Sequence, residues 1–290
     1  MPTPISSGTL YLVSTPIGNL EDITYRAIRV LKSVALIAAE DTRQTTKICN
    51  YYDVSTRRIS LHEHNEIERT PSLLKKLARG DAIALVSDAG TPLISDPGRK
   101  LTAEALKAGY RVEAVPGPSA VLAALISSGF STEKGFCFAG FPPNRSSNRK
   151  VFFLDLVDEP RPVIIFESPH RIIGCLTDMA DVFLDRRVAI CRELTKIHES
   201  LVIQPINKLA AIADKKHLKG EITLVIEGAS TQIRKQTQLK DSDILSEFGH
   251  LTEDGLSRRA AVRTLATRYR CSNRDIYQRI ETAKPKGFVD

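Results

Sequence analysis

Apolar runs recur along the first 120 residues, each followed by a polar turn and then by a helical pattern. Strands are expected over 9–14, 34–39, 58–61, 82–87 and 111–115. Between them, Leu73, Leu74 and Leu77 share one helical face, with Thr70-Pro71 read as a cap plus a first-position proline and Gly80 as the stop. Asp96-Pro97 opens the next helix in the same way and Gly109 ends it. Strand and helix in alternation predict a mostly parallel sheet covered on both faces.

After Pro116-Gly117-Pro118 the pattern changes. Strands are expected at 136–140, 162–167, 187–192, 200–203 and 221–227, and helices near 119–128, 145–157, 170–184 and 206–215. More strands on shorter connections predict a second domain of mixed α+β type. Ala229 to Lys240 is polar, lacks apolar periodicity and reads as a linker. Beyond it two or three short helices are expected at Asp241–Phe248, Ser257–Tyr269 and Asn273–Thr282. Ser257 caps the second, and Ala261, Leu265 and Tyr269 form its apolar stripe. With a break of only Cys271-Ser272-Asn273, the last two are similar to a helix-turn-helix. The expected division is 1–117, 118–230 and 231–290.

Three turns stand out because they are built from small residues at strand ends. They are Ser14–Asn19 (STPIGN), the stretch Leu85–Gly98 (LVSDAGTPLISDPG) and Pro116–Ala120 (PGPSA). Ala89 and Gly90 carry almost no side chain, so main chain can approach a ligand closely there. In open α/β sheets, ligands bind outside the carboxyl ends of strands. The three turns together point to one small-molecule pocket lined largely by backbone.

Composition narrows the setting. The chain has a surplus of seven positive charges, and residues 231–290 carry four of them on 12 Lys/Arg against 8 Asp/Glu. The tail is therefore the expected contact for a polyanion. No apolar run reaches the ~18 residues of a membrane span. The start (MPTPISSGTLYLV) lacks a basic segment before its short apolar run and reads as a first strand, not a leader. Five dispersed cysteines (Cys49, Cys137, Cys175, Cys191 and Cys271) argue for reduced thiols in a cytoplasmic protein.

Several chemistries are disfavoured. STPIGN places Pro16 where a dinucleotide-binding loop needs glycine, and proline has no N–H for a pyrophosphate. No P-loop and no serine-hydrolase elbow occurs. His62-Glu63-His64 lacks an evident third ligand, so no metal site is expected. What remains is four polar clusters after strands: Glu40-Asp41-Thr42-Arg43, His62 to Glu66, Glu167 to Arg171 and Arg192 to Glu199. A rim carrying carboxylates and arginines suits an anionic substrate from which a proton is removed.

The strings STPIGNLEDIT, AAEDTR, SDAGTPLISDPG, VPGPSA, FAGFPP, FESPHR, RELTKIHE and GEITLVIEG resemble the ribosomal RNA small subunit methyltransferase I family over residues 8–228. That family has the two-domain tetrapyrrole-methylase-like α/β fold, and the tail from about 240 is similar to its helix-turn-helix module, more loosely. The resemblance implies S-adenosylmethionine-dependent methylation of a cytidine 2′-hydroxyl in the decoding region of small-subunit (16S) RNA, by a homodimer. Donor contacts carried over by position fall on Ile17, Gly18, Asp88, Ala89, Gly90, Thr91, Ile94, Ser119 and Ala120, and on Phe166, Arg192 and Gly220. Relatives carry Gly-Asp-Pro where this chain has Gly90-Thr91-Pro92, so Asp88 is the carboxylate left to act there. Asp41 and Glu193 are the candidate bases. Arg43 and Arg171 would hold phosphate, and Arg258, Arg259, Arg263 and Arg274 would meet RNA or the 30S subunit. A precorrin-type tetrapyrrole methylase and a ligand-sensing DNA-binding regulator stay open as alternatives.

Overall fold

The computed structural model describes residues 5–212, 219–229, 241–269 and 273–283. The linker expected through Lys240, the Cys271-Ser272 break and the end of the helix expected over 206–215 lie outside the described residues. The chain divides into two units, Met1–Ala124 with Glu193–Glu199, and Leu125–Arg192 with Ser200–Asp290.

The first unit holds a parallel sheet of β1 (Thr9–Val13), β2 (Leu36–Ala39), β3 (Arg58–Ser60), β4 (Ile83–Val86) and β5 (Arg111–Val115). Their order is β3-β2-β4-β1-β5. β2 and β4 are buried at every position, as strands covered on both faces must be. The period-two alternation sorts the core into two layers. Tyr11, Val13, Ile37 and Ala84 pack on α1 (Tyr25–Ser33) and α2 (Thr42–Tyr51). Leu10, Leu36, Ile83 and Leu85 pack on α3 (Glu66–Ala78) and α4 (Arg99–Lys107). α5 (Ala120–Ser128) follows β5.

Two helix starts differ from the expectation. α3 begins at Glu66, so Thr70 is not its cap and Pro71 lies inside it. The proline is tolerated early in the helix, and the Thr70 hydroxyl donates to the Glu66 carbonyl (2.7 Å). α4 begins at Arg99, two residues beyond Pro97, behind Gly98 at φ 109°. A side chain there would meet Leu85 at 2.3 Å, so only glycine fits. Glycine offers no capping oxygen, and Glu66 supplies one instead, its Oε1 accepting the Leu101 N–H (2.9 Å).

The second unit holds β6 (Cys137–Gly140), β7 (Val163–Glu167), β8 (Arg187–Arg192), β9 (Ser200–Pro205) and β10 (Ile222–Ile226) in the order β6-β7-β10-β8-β9. β6 and β7 run parallel and the other pairs antiparallel, the mixed sheet expected. α6 (Ser146–Asp155), α7 (Ile172–Phe183) and α8 (Ile206–Ile212) contribute Phe153, Leu176, Met179, Phe183 and Leu209 to its core. The tail forms α9 (Asp241–Glu253), α10 (Arg258–Arg268) and α11 (Asn273–Ala283) around Ile244, Phe248, Leu265, Ile276 and Ile280. Ser257 caps α10 as its sequence implied, accepting from the Ala260 N–H.

α6 and α7 are tied by a buried ion pair. The guanidinium of Arg149 lies 2.6 Å from Asp178, each side chain 7% exposed, and the Ser146 hydroxyl donates to the same carboxylate (2.8 Å). Removing one partner strands the other charge in the interior. Asp178→Ala is expected to cost about 3–5 kcal/mol in a urea melt. A loss below about 1 kcal/mol would show that the pair contributes nothing net.

Candidate active site

Strand order places a crevice in the first unit. The loops after β1 and β2 lead to α1 and α2 on one face, while the loop after β4 leads to α4 on the other. β4 lies beside both β1 and β2, so chains part in opposite directions at its carboxyl end. Ligands bind outside such switch points.

Three loops are fastened together there by main chain and hydroxyls. Thr15 and Gly90 exchange both backbone bonds, at 2.9 and 3.0 Å, an isolated antiparallel bridge between the loops after β1 and β4. Thr91 donates from Oγ1 to the Pro118 carbonyl and lies 3.1 Å from the Ser14 hydroxyl, which brings in the loop after β5. Threonine at 91 thus acts as a strut among the turns. Gly90 has φ 79°, and an added Cβ would lie 3.3 Å from Ile17. Ile17, Gly90 and Thr91 therefore lie together, and Pro118 beside them leads into Ser119 and Ala120. Asp88, Ala89 and Ile94 stand exposed on the same loop.

The segment Glu193–Glu199 joins this group. A Cβ on Gly18 would meet Lys196 Cγ at 2.4 Å and Thr195 Oγ1 at 2.9 Å, and the Asn19 N–H donates to Thr195 Oγ1 (3.0 Å). Glu193 adopts φ 51° and pairs with Lys196 at 3.0 Å. Gly18 is needed here because another segment of the chain occupies the space a side chain would take.

Carboxylates ring the ends of β2 and β4. Asp41 caps α2, accepts the Arg43 N–H (2.8 Å) and pairs with the Arg43 guanidinium (2.7 Å). Those hydrogen bonds hold its carboxyl down at about 2. Asp88 Oδ1 accepts the Asp41 N–H (2.9 Å), and Glu40 Oε2 accepts the Asp88 N–H (3.3 Å). Burial raises the carboxyls of both Glu40 and Asp88. Asp96 is pushed further, to about 7, by burial first and then by the charge of Glu40. Its expected role as helix cap concealed it. Ser14, Thr15, Thr195 and Lys196 were also missed, although each lies in a turn or cluster visible in the sequence.

In the second unit, Phe166, Arg171, Arg192 and Gly220 fall toward one end of the sheet, where Ile222 pairs with both Glu167 and Arg192. Phe166 packs edge-on to Phe138 (5.0 Å) and beside Phe141 (5.5 Å). Arg171 pairs with the buried Glu167 at 2.9 Å. Arg192 donates to the Lys219 carbonyl (3.1 Å), next to Gly220. On the tail, Arg258 lies 6.0 Å over the Phe248 ring and Arg274 is exposed. Arg259 and Arg263 line a cleft with Lys150 and Asp181. Among the described residues, no three His, Cys, Asp or Glu side chains group so as to hold a metal ion. None of the described helices is long and apolar enough to cross a membrane.

Comparison with known proteins agrees with this architecture. Residues 9–210 match the family of Tetrapyrrole (Corrin/Porphyrin) Methylases. A ribosomal RNA small subunit methyltransferase I of Synechocystis is 43% identical, covering 93% of this chain and 96% of the relative. The Streptococcus pyogenes protein of that name is 40% identical over 94% of each. The crystal structure of uroporphyrin-III-C-methyltransferase from Thermus thermophilus superposes with a TM-score of 0.54 at 18% identity, covering 76% of this chain and 94% of that one, which shows a shared fold. The chain is a methyltransferase of the tetrapyrrole methylase family and belongs with its ribosomal RNA small subunit methyltransferase I members.

Proposed function

We propose that this chain transfers a methyl group from S-adenosylmethionine to the 2′-hydroxyl of a cytidine in the decoding region of small-subunit ribosomal RNA. The observation that carries the reading is the near full-length identity to relatives named for that RNA. The donor set of the first unit supports it. Ser14–Gly18, Ser87–Ile94 and Pro116–Ala120 contain one charged side chain, Asp88, and otherwise offer hydroxyls, main-chain amides and small apolar surfaces. Glu40, whose Oε2 accepts the Asp88 N–H, adds a carboxyl nearby. A cationic sulfonium with a polar tail fits such surroundings better than a phosphate-bearing cofactor does.

When bound, the donor supplies an activated methyl carbon, and the protein's task is positioning. The acceptor oxygen must lie roughly 3–3.5 Å from that carbon, in line with the departing sulfur. Loops braced by the Thr15–Gly90 bridge and the Thr91 strut hold such a geometry because main chain has few alternatives there. Arg43, 88% exposed at the rim, would meet phosphate. The tail, read as a module over 231–290, supplies salt-dependent backbone affinity without base identity. Reading a 2′-hydroxyl distinguishes RNA from DNA.

A homodimer in the cytoplasm belongs to the same proposal. α5 bears no charged side chain, and Leu122 and Ile126, one turn apart, are 50% and 78% exposed. An apolar helix face of that kind suits a second copy.

The direct test is transfer of labelled methyl to isolated small subunits. Label in a cytidine ribose is expected; label in a tetrapyrrole instead, with none in RNA, would overturn the reading. Asp88→Ala should weaken donor binding about tenfold or more by calorimetry, and an unchanged Kd would remove Asp88 from the donor site. Arg258→Glu with Arg274→Glu should weaken RNA binding, flatten its salt dependence and leave donor affinity intact. Filter binding across a salt series checks this.

A further inference from the structure

The segment Glu193–Glu199 belongs to the first unit and lies on the loop after β1. Glu193 and Thr195 both adopt left-handed backbone, at φ 51° and 66°. For a β-branched residue such as Thr195 that region is sterically disfavoured. Such conformations persist only where their surroundings over-determine them, and here the bracing is dense. Glu199 Oε2 accepts the Thr195 N–H (2.7 Å), and the Thr195 hydroxyl oxygen accepts the Asn19 N–H (3.0 Å). Two successive turns close the segment on itself. The Lys196 N–H donates to the Glu193 carbonyl and the Glu199 N–H to the Lys196 carbonyl, both at 3.0 Å.

This bracing fixes where two side chains stand. Leu194, 8% exposed, seats the segment, whereas Ile197 is 97% exposed on main chain that is held on both sides. The stem of Lys196 runs over Gly18, where an added Cβ would lie 2.4 Å from its Cγ. Its ammonium lies 3.0 Å from the Glu193 carboxylate, and 27% of the side chain remains exposed. Thr15, three residues before Gly18 on the same loop, makes the bridge to Gly90. A cation and an exposed isoleucine thus adjoin in sequence and border the loops proposed to hold the donor.

A lysine is a cation at neutral pH, and its ammonium can serve more than one acceptor. Beside loops that bind a sulfonium, such a group disfavours a second cation and suits an anion. The RNA backbone offers one at every nucleotide. Packing the stem on Gly18 and tying the head to Glu193 restricts the side chain before any substrate arrives, which lowers the entropy lost on binding. The 2′-hydroxyls of an RNA helix lie in its shallow groove, alongside base edges and within reach of phosphates. A loop that reaches them meets both surfaces. A cation suits the phosphate, and an apolar side chain suits the face of a base or sugar.

We propose that the Glu193–Glu199 segment receives the acceptor strand, with the Lys196 ammonium on a backbone phosphate near the methylated ribose and Ile197 against a neighbouring base or sugar. The inference rests on the methyl transfer proposed above and names the part of the first unit that meets the RNA. Glu193 holds the lysine head in place, and Gly18 leaves room for its stem.

The test uses the full chain and isolated small subunits. Lys196→Met keeps the stem over Gly18 and removes the charge. It should raise KM for small subunits about tenfold, with kcat, and donor Kd by calorimetry, within about threefold of wild type. The slope of log KM against log salt should fall by about one phosphate contact. Ile197→Ala spares the fold because that side chain is exposed. It should raise KM about fivefold and leave the salt slope as in wild type. Independently of turnover, small subunits should shield Lys196 from acylation by an amine-reactive reagent, read by mass spectrometry, while the donor alone should not. A KM within about twofold of wild type in either variant, a wild-type salt slope in Lys196→Met, a donor Kd that rises in step with KM, or acylation unaffected by small subunits would each overturn the proposal. Those results with an active wild type refute the segment's role alone, whereas a wild type that methylates no small-subunit RNA refutes the preceding reading and this one with it.

Discussion

The first unit depends on one topological constraint. β4 is inserted beside β1 and β2, yet its connection leaves toward the opposite face of the sheet. The chains must part at its carboxyl end, and main-chain amides and carbonyls are left there without strand partners. The Thr15–Gly90 bridge satisfies some of them and fixes two loops against each other. The small residues follow from this requirement: bulkier side chains would drive the loops apart and undo the bridge.

Charge is arranged around that frame with equal economy. Polar groups at a half-buried strand end need partners, and here the backbone provides several. Asp88 accepts from the Asp41 N–H, Glu40 accepts from the Asp88 N–H, and Glu66 caps a helix whose own N-cap position is glycine. Arg43 occupies Asp41. Burial without a cation sets Asp96 apart, and its carboxyl rises toward neutrality for that reason. Asp41 and Asp96, far apart in sequence, thus differ sharply in proton affinity through local hydrogen bonding and solvent access.

Much of this was legible in the sequence. Apolar periodicity located the strands, because β2 and β4 are buried throughout and their runs are unbroken. Small residues after strands marked the loops that the Thr15–Gly90 bridge and Thr91 fasten together, since close approach of main chain needs them. Helix starts were less legible. Asp-Pro and Thr-Pro are good local signals, but Pro71 is tolerated inside α3 and α4 begins only at Arg99, three residues beyond Asp96. Those are tertiary outcomes that a local pattern does not encode. The contribution of Thr195 and Lys196 was equally hidden, since nothing near Gly18 in sequence announces them.

On the proposed function, the loops after β1, β4 and β5 form a main-chain cradle for the methyl donor. Amide hydrogen exchange of ligand-free and donor-saturated protein tests it most directly. Protection should concentrate in residues 14–19, 87–95 and 116–120 of the first unit. Donor-dependent protection that bypasses all three loops would contradict the account.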